Sequence, residues 1–359
     1  MLRPKGSHNR LPLSILVIGV LVACFGLIAI YDASVVDAYR TFGDKFHYVK
    51  QQSTWIVVGI IVALITANIP IQLLKKYAHI FYGITLILMV AVLIPGIGSK
   101  FLGARRWIDF GFTMIQPSEL LKITLAIYLA KWLGEERTLK QFLILLGVNV
   151  VLIMLQPDLG TALITVGVSF MIYYLSGAKI KEIFSFSAIL AVAIGGLILL
   201  SPYRMDRMKT FIDPTSDPLG ASYHINQVIY GLGSGGVSGV GLGKSRQKYA
   251  YLPEATTDSI FVIIAEEFGF IGSSIFILTL VGLLTASFKV ALNVTDKFDK
   301  LLSSSITLLF LIQIFVNLSS MVALVPLTGV PLPFISYGGS SLVTNFIALG
   351  LLINISKRT

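Results

Sequence analysis

Residues 251–288 read YLPEATTDSIFVIIAEEFGFIGSSIFILTLVGLLTASF. A polar stretch carrying Asp258 passes without interruption into a long apolar run. In lipid only a helix satisfies every backbone group of such a run, so 258–288 reads as a membrane span entered from a polar loop. The rest of the chain repeats the pattern. Of 359 residues, 55% are hydrophobic and 13% are charged, against about 25% charged in a soluble domain. Apolar runs fall near 11–31, 53–70, 77–95, 116–133, 139–156, 159–176, 183–201, 258–288, 302–326 and 337–356, of the order needed to cross a bilayer. The expected fold is an all-α integral membrane protein: one domain over 1–359, a bundle of about ten transmembrane helices. A large extracytoplasmic loop, about 202–257, separates the seventh and eighth.

Orientation follows from charge. With the N-terminus inside, the inner segments hold Arg3, Lys5, Arg10, Lys75, Lys76, Lys131, Arg137, Lys140, Lys179, Lys181, Lys289, Lys297, Lys300, Lys357 and Arg358. The short outer loops hold only Arg40, Lys45, Lys50, Lys100, Arg105 and Arg106. The positive-inside rule therefore puts both termini in the cytoplasm and loop 202–257 outside. The net charge of +10 has the same origin, with attraction to anionic lipid. No basic cluster is interleaved with aromatics, which argues against a nucleic-acid partner. Cys24 stands alone, excluding an intrachain disulfide, and the four histidines lack ligand spacing. The basic start MLRPKGSHNR precedes an apolar run too long for a signal peptide, so 11–31 reads as a retained first span.

Five polar segments break the apolar pattern, all on the outer side of this topology. In the first, Pro253 fixes the chain, Thr256 or Thr257 can cap a helix, and Asp258 falls in its first turn. Two readings stay open for Asp258: a carboxylate favoured by the helix dipole, or a general base or divalent-cation ligand at the membrane surface. Glu266 and Glu267 follow on the same helix, where isolated charge is expensive and usually functional. The second, QPSELLK (116–122), puts Glu119 and Lys122 at i,i+3, as an ion pair or the wall of a polar cavity. Just upstream, GARRWIDFG (103–111) carries Arg105 and Arg106, which suit phosphate. The third, QPDLGTA (156–162), opens a span at Asp158, as a cap or a site residue. The fourth, GLGSGGVSGVGLGKSRQKY (231–249), sets Lys244, Arg246 and Lys248 behind glycines able to cradle phosphate, although Ser238 breaks the Walker spacing. The fifth, PLTGVPLPFISYGGSS (326–341), adds Ser336 in a proline- and glycine-rich turn.

Read together, RRWIDFG, QPSEL, QPDLGTA, the block GLGSGGVSGVGLGKSRQKYAYLPEATTDSIFVIIAEEFGFIG and PLPFISYGGSS resemble the SEDS family of cell-wall polymerases, the FtsW, RodA and SpoVE group. The block around SRQKYAYLPEA is more similar to the FtsW-like members. The resemblance implies a ten-helix bundle with a large outer loop before the eighth helix. It implies a peptidoglycan glycosyltransferase that polymerises lipid II at the outer face of the bacterial cytoplasmic membrane, with undecaprenyl pyrophosphate leaving. The family's essential aspartate maps onto Asp258, the expected base and metal ligand, and its paired acid and base onto Glu119 and Lys122. Arg105, Arg106, Asp158, Lys244, Arg246, Lys248 and Ser336 complete the expected substrate site. A divalent cation, Mg2+ or Mn2+, is implied, and no organic cofactor. The implied partners are a class B penicillin-binding protein and other membrane proteins of the divisome or elongasome. The rival readings are a lipid II flippase and a non-catalytic scaffold of the division complex.

Overall fold

The computed structural model describes residues 11–101, 103–111, 113–199, 202–249 and 251–358. Arg3, Lys5 and Arg10, counted above as inner charges, lie outside the described residues. In chain order the elements are α1 (Leu11–Phe42), α2 (His47–Thr66), α3 (Ile71–Ala91), a sheet of β1 (Gly98–Phe101), β2 (Ala104–Asp109) and β3 (Met114–Ile115), then α4 (Pro117–Trp132), α5 (Leu139–Met154), α6 (Leu159–Leu175), α7 (Ile180–Leu199), α8 (Pro202–Ile212), α9 (Tyr223–Gly235), α10 (Ile260–Asn293), α11 (Lys297–Met321) and α12 (Gly339–Ser356). Among the described residues, each of the expected apolar runs overlaps a helix. Six of them, α1, α2, α3, α10, α11 and α12, are long and apolar enough to cross a membrane, and α5 and α6 are shorter apolar helices.

The bundle is built around α4, which packs on α3, α6, α11 and α12. That neighbourhood explains its composition: a helix sealed on all sides can hold Glu119 and Lys122 as a pair. Helix α1 extends to Phe42, well past the predicted end at 31, because Ala33, Ser34 and Ala38 are small and buried against the bundle. Helix α2 begins at His47 rather than 53. Its polar start HYVKQQ is helical because buried Gln52 donates to the Ser336 carbonyl at 3.3 Å and accepts from the Gly338 amide at 3.3 Å. The segment read as a plain outer loop near 96–115 is an antiparallel three-stranded sheet in the order β1-β2-β3.

Loop 202–257 contains two helices. The apolar stretch from Ile225 to Leu232 lies within α9, whereas the apolar stretch from Val237 to Leu242 is not helical. It is instead bonded into a break in α10. At Gly269 the chain takes φ 64°, ψ −166°, far from helical values, and the carbonyls and amides that the break strands are met by the loop. The Val240 amide donates to the Glu266 carbonyl at 3.0 Å and the Gly241 amide to the Glu267 carbonyl at 3.0 Å. In return, the Phe270 amide donates to the Gly236 carbonyl at 2.9 Å and the Ile271 amide to the Val237 carbonyl at 3.1 Å. Non-helical backbone at this depth is tolerated only when buried in protein and fully bonded.

Two glycines of this stretch, Gly235 and Gly239, serve close backbone approach to α10. At Gly239, φ is +82° and a Cβ would fall on the Glu267 carbonyl oxygen. Gly239→Ala is expected to lower the thermal stability of the purified protein by several degrees or abolish its recovery. Gly233→Ala, at a helical position with open space around it, should be neutral or stabilising; equal melting temperatures for the two variants would refute the stitched-break account.

Candidate functional site

Asp258 does not sit in the first turn of α10. The helix starts at Ile260 with Ser259 at its cap, and no side chain caps it. Thr257 turns away from that role, its Oγ1 donating to Glu254 Oε2 at 2.8 Å and to Asp258 Oδ1 at 3.2 Å. The turn is closed by the Thr257 and Ser259 amides, both donating to the Glu254 carbonyl at 3.1 Å. Asp258 is thus held just before the helix, with its residue only 8% exposed.

Three elements hold that turn. From α11, Asn317 Nδ2 donates to the carbonyls of Asp258 (2.8 Å) and Val330 (2.7 Å). From the α11–α12 connection, Ser336 Oγ donates to the Thr257 carbonyl at 2.5 Å and accepts from the Leu332 amide at 2.8 Å, and the Tyr337 amide donates to the Thr256 carbonyl at 2.9 Å. Gly329 faces the carboxylate: a Cβ there would lie 3.9 Å from Asp258 Oδ2. The N-terminus of α6 closes the far side, since Gly160 packs on Thr328 and Val330.

Burial is the main influence on Asp258 and pushes its carboxyl up to about 6; the negative charge of Glu254 pushes the same way, while hydrogen bonds and Arg207 pull it partly back.

The other expected site residues divide sharply. Asp158 is the N-cap of α6, accepting from the Thr161 amide at 3.0 Å and from Gln116 Nε2 at 3.4 Å. Arg106 donates through Nε to the Gln156 carbonyl at 2.9 Å and through Nη2 to the Pro157 carbonyl at 2.5 Å, pinning the turn before Asp158. Arg105 is half-buried on β2. Glu119 and Lys122 form a buried pair at 2.9 Å, and Lys122 Nζ donates to Gln313 Oε1 at 3.2 Å. Gln313 Nε2 in turn donates to the Pro331 carbonyl at 2.9 Å. The pair bonds to the wall of the Asp258 site and not to Asp258.

Lys248 is a correction. It is buried, with Nζ 2.7 Å from Asp32 of α1 and 3.4 Å from Glu267, so no phosphate can reach it without breaking a buried ion network. Lys244 and Arg246 are exposed, on a loop whose backbone hangs from α10. The Ser245 amide donates to Glu267 Oε1 at 3.0 Å, the Arg246 amide to Glu266 Oε1 at 3.1 Å and the Gln247 amide to Glu266 Oε2 at 3.4 Å. Ser234 and Ser245 hydroxyls also donate to Glu266. The two glutamates thus bind the protein's own loop, which explains why carboxylates lie so deep in α10.

Residues not singled out in the sequence also join the site. Arg207, on α8, donates to the Leu327 carbonyl, and its charge acts on both Asp258 and His224. His224, on α9, shares a hydrogen bond of 2.8 Å with Ser259 Oγ, and burial, then Arg207, hold its imidazole down near 4, hence neutral. The spacing of charge along PYRMDRMKTFI was the available signal for Arg207; for His224 there was none, because only the fold brings it to Ser259.

Residues 12–359 match the family FTSW_RODA_SPOVE, described as cell cycle protein. The chain is similar to the stage V sporulation protein E of Bacillus subtilis (strain 168), at 37% identity over 353 residues and 96% of each chain. It is similar to a probable peptidoglycan glycosyltransferase FtsW of Geobacter sp. (strain M18), at 36% identity with 96% of each chain covered. Among solved structures it resembles a chain from a peptidoglycan synthase complex studied for the coordination of polymerization and crosslinking (TM-score 0.80, 26% identity, 96% of this chain and 97% of that one). It also resembles the Thermus thermophilus rod shape determining protein RodA (TM-score 0.69, 26% identity, 96% and 95% covered).

Glu266→Ala strands the Arg246 and Gln247 amides and the Ser245 hydroxyl. Each buried group left unpaired costs about 1–3 kcal/mol. Hydrogen exchange and proteolysis within 241–249 are expected to rise at least about tenfold; unchanged protection there would show that the loop is held by something else.

Proposed function

The chain belongs to the FtsW/RodA/SpoVE family of cell cycle proteins, and from that premise we propose that it builds glycan strands with Asp258 as general base. It is a multi-pass membrane protein and a peptidoglycan glycosyltransferase. The observation that carries the role of Asp258 is its setting: a buried carboxylate, raised to about 6, at the point where the α10 entry, the α11–α12 connection and the α6 N-terminus meet. At neutral pH such a group is deprotonated yet a stronger base than an exposed aspartate.

In the proposed reaction two lipid-linked saccharides, one of them lipid II, meet at the outer leaflet. An acceptor hydroxyl oxygen attacks the anomeric carbon of the other. The new carbon–oxygen bond forms as the bond to the undecaprenyl pyrophosphate breaks, the electron pair leaves with the pyrophosphate, and the hydroxyl proton passes to Asp258. Direct displacement inverts the anomeric carbon. Burial of the turn by α11 and the 328–337 connection excludes water from the carboxylate and fixes its position.

Among the described residues no group of three or more His, Cys, Asp or Glu could hold a metal ion alone. Asp258 would be the residue to hold a hard cation such as Mg2+ or Mn2+ shared with the substrate. Such an ion would supply neutralisation of the charge developing on the leaving group. The bacterial cytoplasmic membrane, cytoplasmic termini and an outward-facing site complete the proposal. Because one solved relative belongs to a complex coordinating polymerization with crosslinking, a class B penicillin-binding protein is the proposed partner, alongside divisome or elongasome membrane proteins.

The test uses the full chain reconstituted in vesicles with fluorescent lipid II, scored for polymer and for leaflet exchange. Asp258→Asn should abolish polymer while the protein still inserts and melts normally; polymer at the wild-type rate would remove Asp258 from the chemistry. The base works deprotonated, so kcat/KM should fall as pH drops through about 6. Glu254→Gln removes a charge that raises the carboxyl, so the acid limb should move to lower pH.

A further inference from the structure

The proposed reaction requires a cation for the departing pyrophosphate, and the cations singled out by sequence are poorly placed for it. Lys248 is locked between Asp32 and Glu267, Lys122 is paired with Glu119, and Arg106 is bonded to two carbonyls. Lys244 and Arg246 ride on a loop fastened at Glu266 and Glu267. Glu266 lies eight residues beyond Asp258, about 12 Å along a helix at 1.5 Å per residue.

Arg207 is placed differently. It projects from α8, half-buried, and donates to the Leu327 carbonyl, two residues before Gly329. Gly329 is the position that faces the Asp258 carboxylate. The guanidinium is therefore tethered to the strip of backbone that walls the base. Asp258 has no ion-pair partner among the described residues, so Arg207 acts on it through space. The remaining ionisable neighbours are Glu254, from the same turn, and His224, from α9, which burial keeps neutral. Arg207 is thus the positive charge that acts on both groups flanking the start of α10.

Resting on the glycosyl-transfer reading above, we propose that Arg207 binds the leaving pyrophosphate. An arginine fork matches phosphate oxygens in two parallel charge-assisted bonds. It would stabilise the oxygen on which the electron pair settles as the anomeric bond breaks, while Asp258 takes the proton from the attacking hydroxyl. Arg207 is tethered to the Leu327 carbonyl, and Asn317 ties the Asp258 carbonyl to that of Val330, so the base and the anion site of opposite sign keep the two ends of the displacement in register.

The probe is inorganic pyrophosphate, measured by calorimetry on the full chain in neutral detergent and as an inhibitor of polymerisation in vesicles. Binding should weaken at least about tenfold in Arg207→Ala and recover in part in Arg207→Lys, which keeps the charge without the fork. In Arg207→Ala, kcat should fall about 100-fold. The lysine variant should restore part of that loss. Calorimetry is repeated in Asp258→Asn, whose pyrophosphate binding should persist; that arm separates failure of the base assignment from failure of the anion site. Equal pyrophosphate affinity and equal kcat in wild type and Arg207→Ala would overturn the proposal. So would binding of phosphatidylglycerol with none of pyrophosphate, which would make Arg207 a membrane anchor.

Discussion

The structure depends on a break. At Gly269 helix α10 gives up its own hydrogen-bond ladder, and the backbone of 236–241 supplies what is missing through four bonds. In a membrane-spanning segment each unmet backbone group costs several kcal/mol, so helix and loop can be ordered only together. The residues on either side of the break are recruited to the same end. Glu266 and Glu267 reach out to the amides of 245–247, and Lys248 returns between Glu267 and Asp32 to tie in α1.

With the loop rooted, the segment that leads from it into α10 has one course, and Asp258 lies on it. The α11–α12 connection then fixes the turn from the other side, through Asn317, Ser336 and Tyr337. Behind that connection stands a second tier: Glu119 pairs with Lys122, Lys122 with Gln313, and Gln313 with the Pro331 carbonyl. Asn317, Ser336 and, behind them, Gln313 are thus engaged in holding the backbone of the turn that carries one buried carboxylate. The same burial that secures its position raises its basicity, so positioning and reactivity have a common origin.

Much of this was legible in the sequence, for reasons of period and cost. Apolar runs of membrane length can be little else than helices, so the elements could be placed before any coordinates. Carboxylates and cations in an apolar chain are expensive, so Asp258, Glu119 and Lys122 stand out in the sequence, and all three are buried in the fold. Helix ends were harder. The extension of α1 to Phe42 and the start of α2 at His47 rest on small or polar residues finding partners far along the chain. The sheet at 98–115 rests on strand pairing that hydropathy does not register.

What the sequence determined by itself is the solvent the protein lives in, the rough division into helices, and the short list of charges that had to be accounted for. What only the tertiary structure decided is which of those charges are paired inside the protein and which stay exposed. Lys248 and Lys244 are alike on paper, four residues apart in one basic glycine-rich stretch; one is sealed between two carboxylates and the other is exposed. Arg207 and His224 gain their meaning only beside Asp258 and Ser259. The difference is physical: burial and long-range pairing set the state of a charge, and neither is a property of its neighbours in the chain.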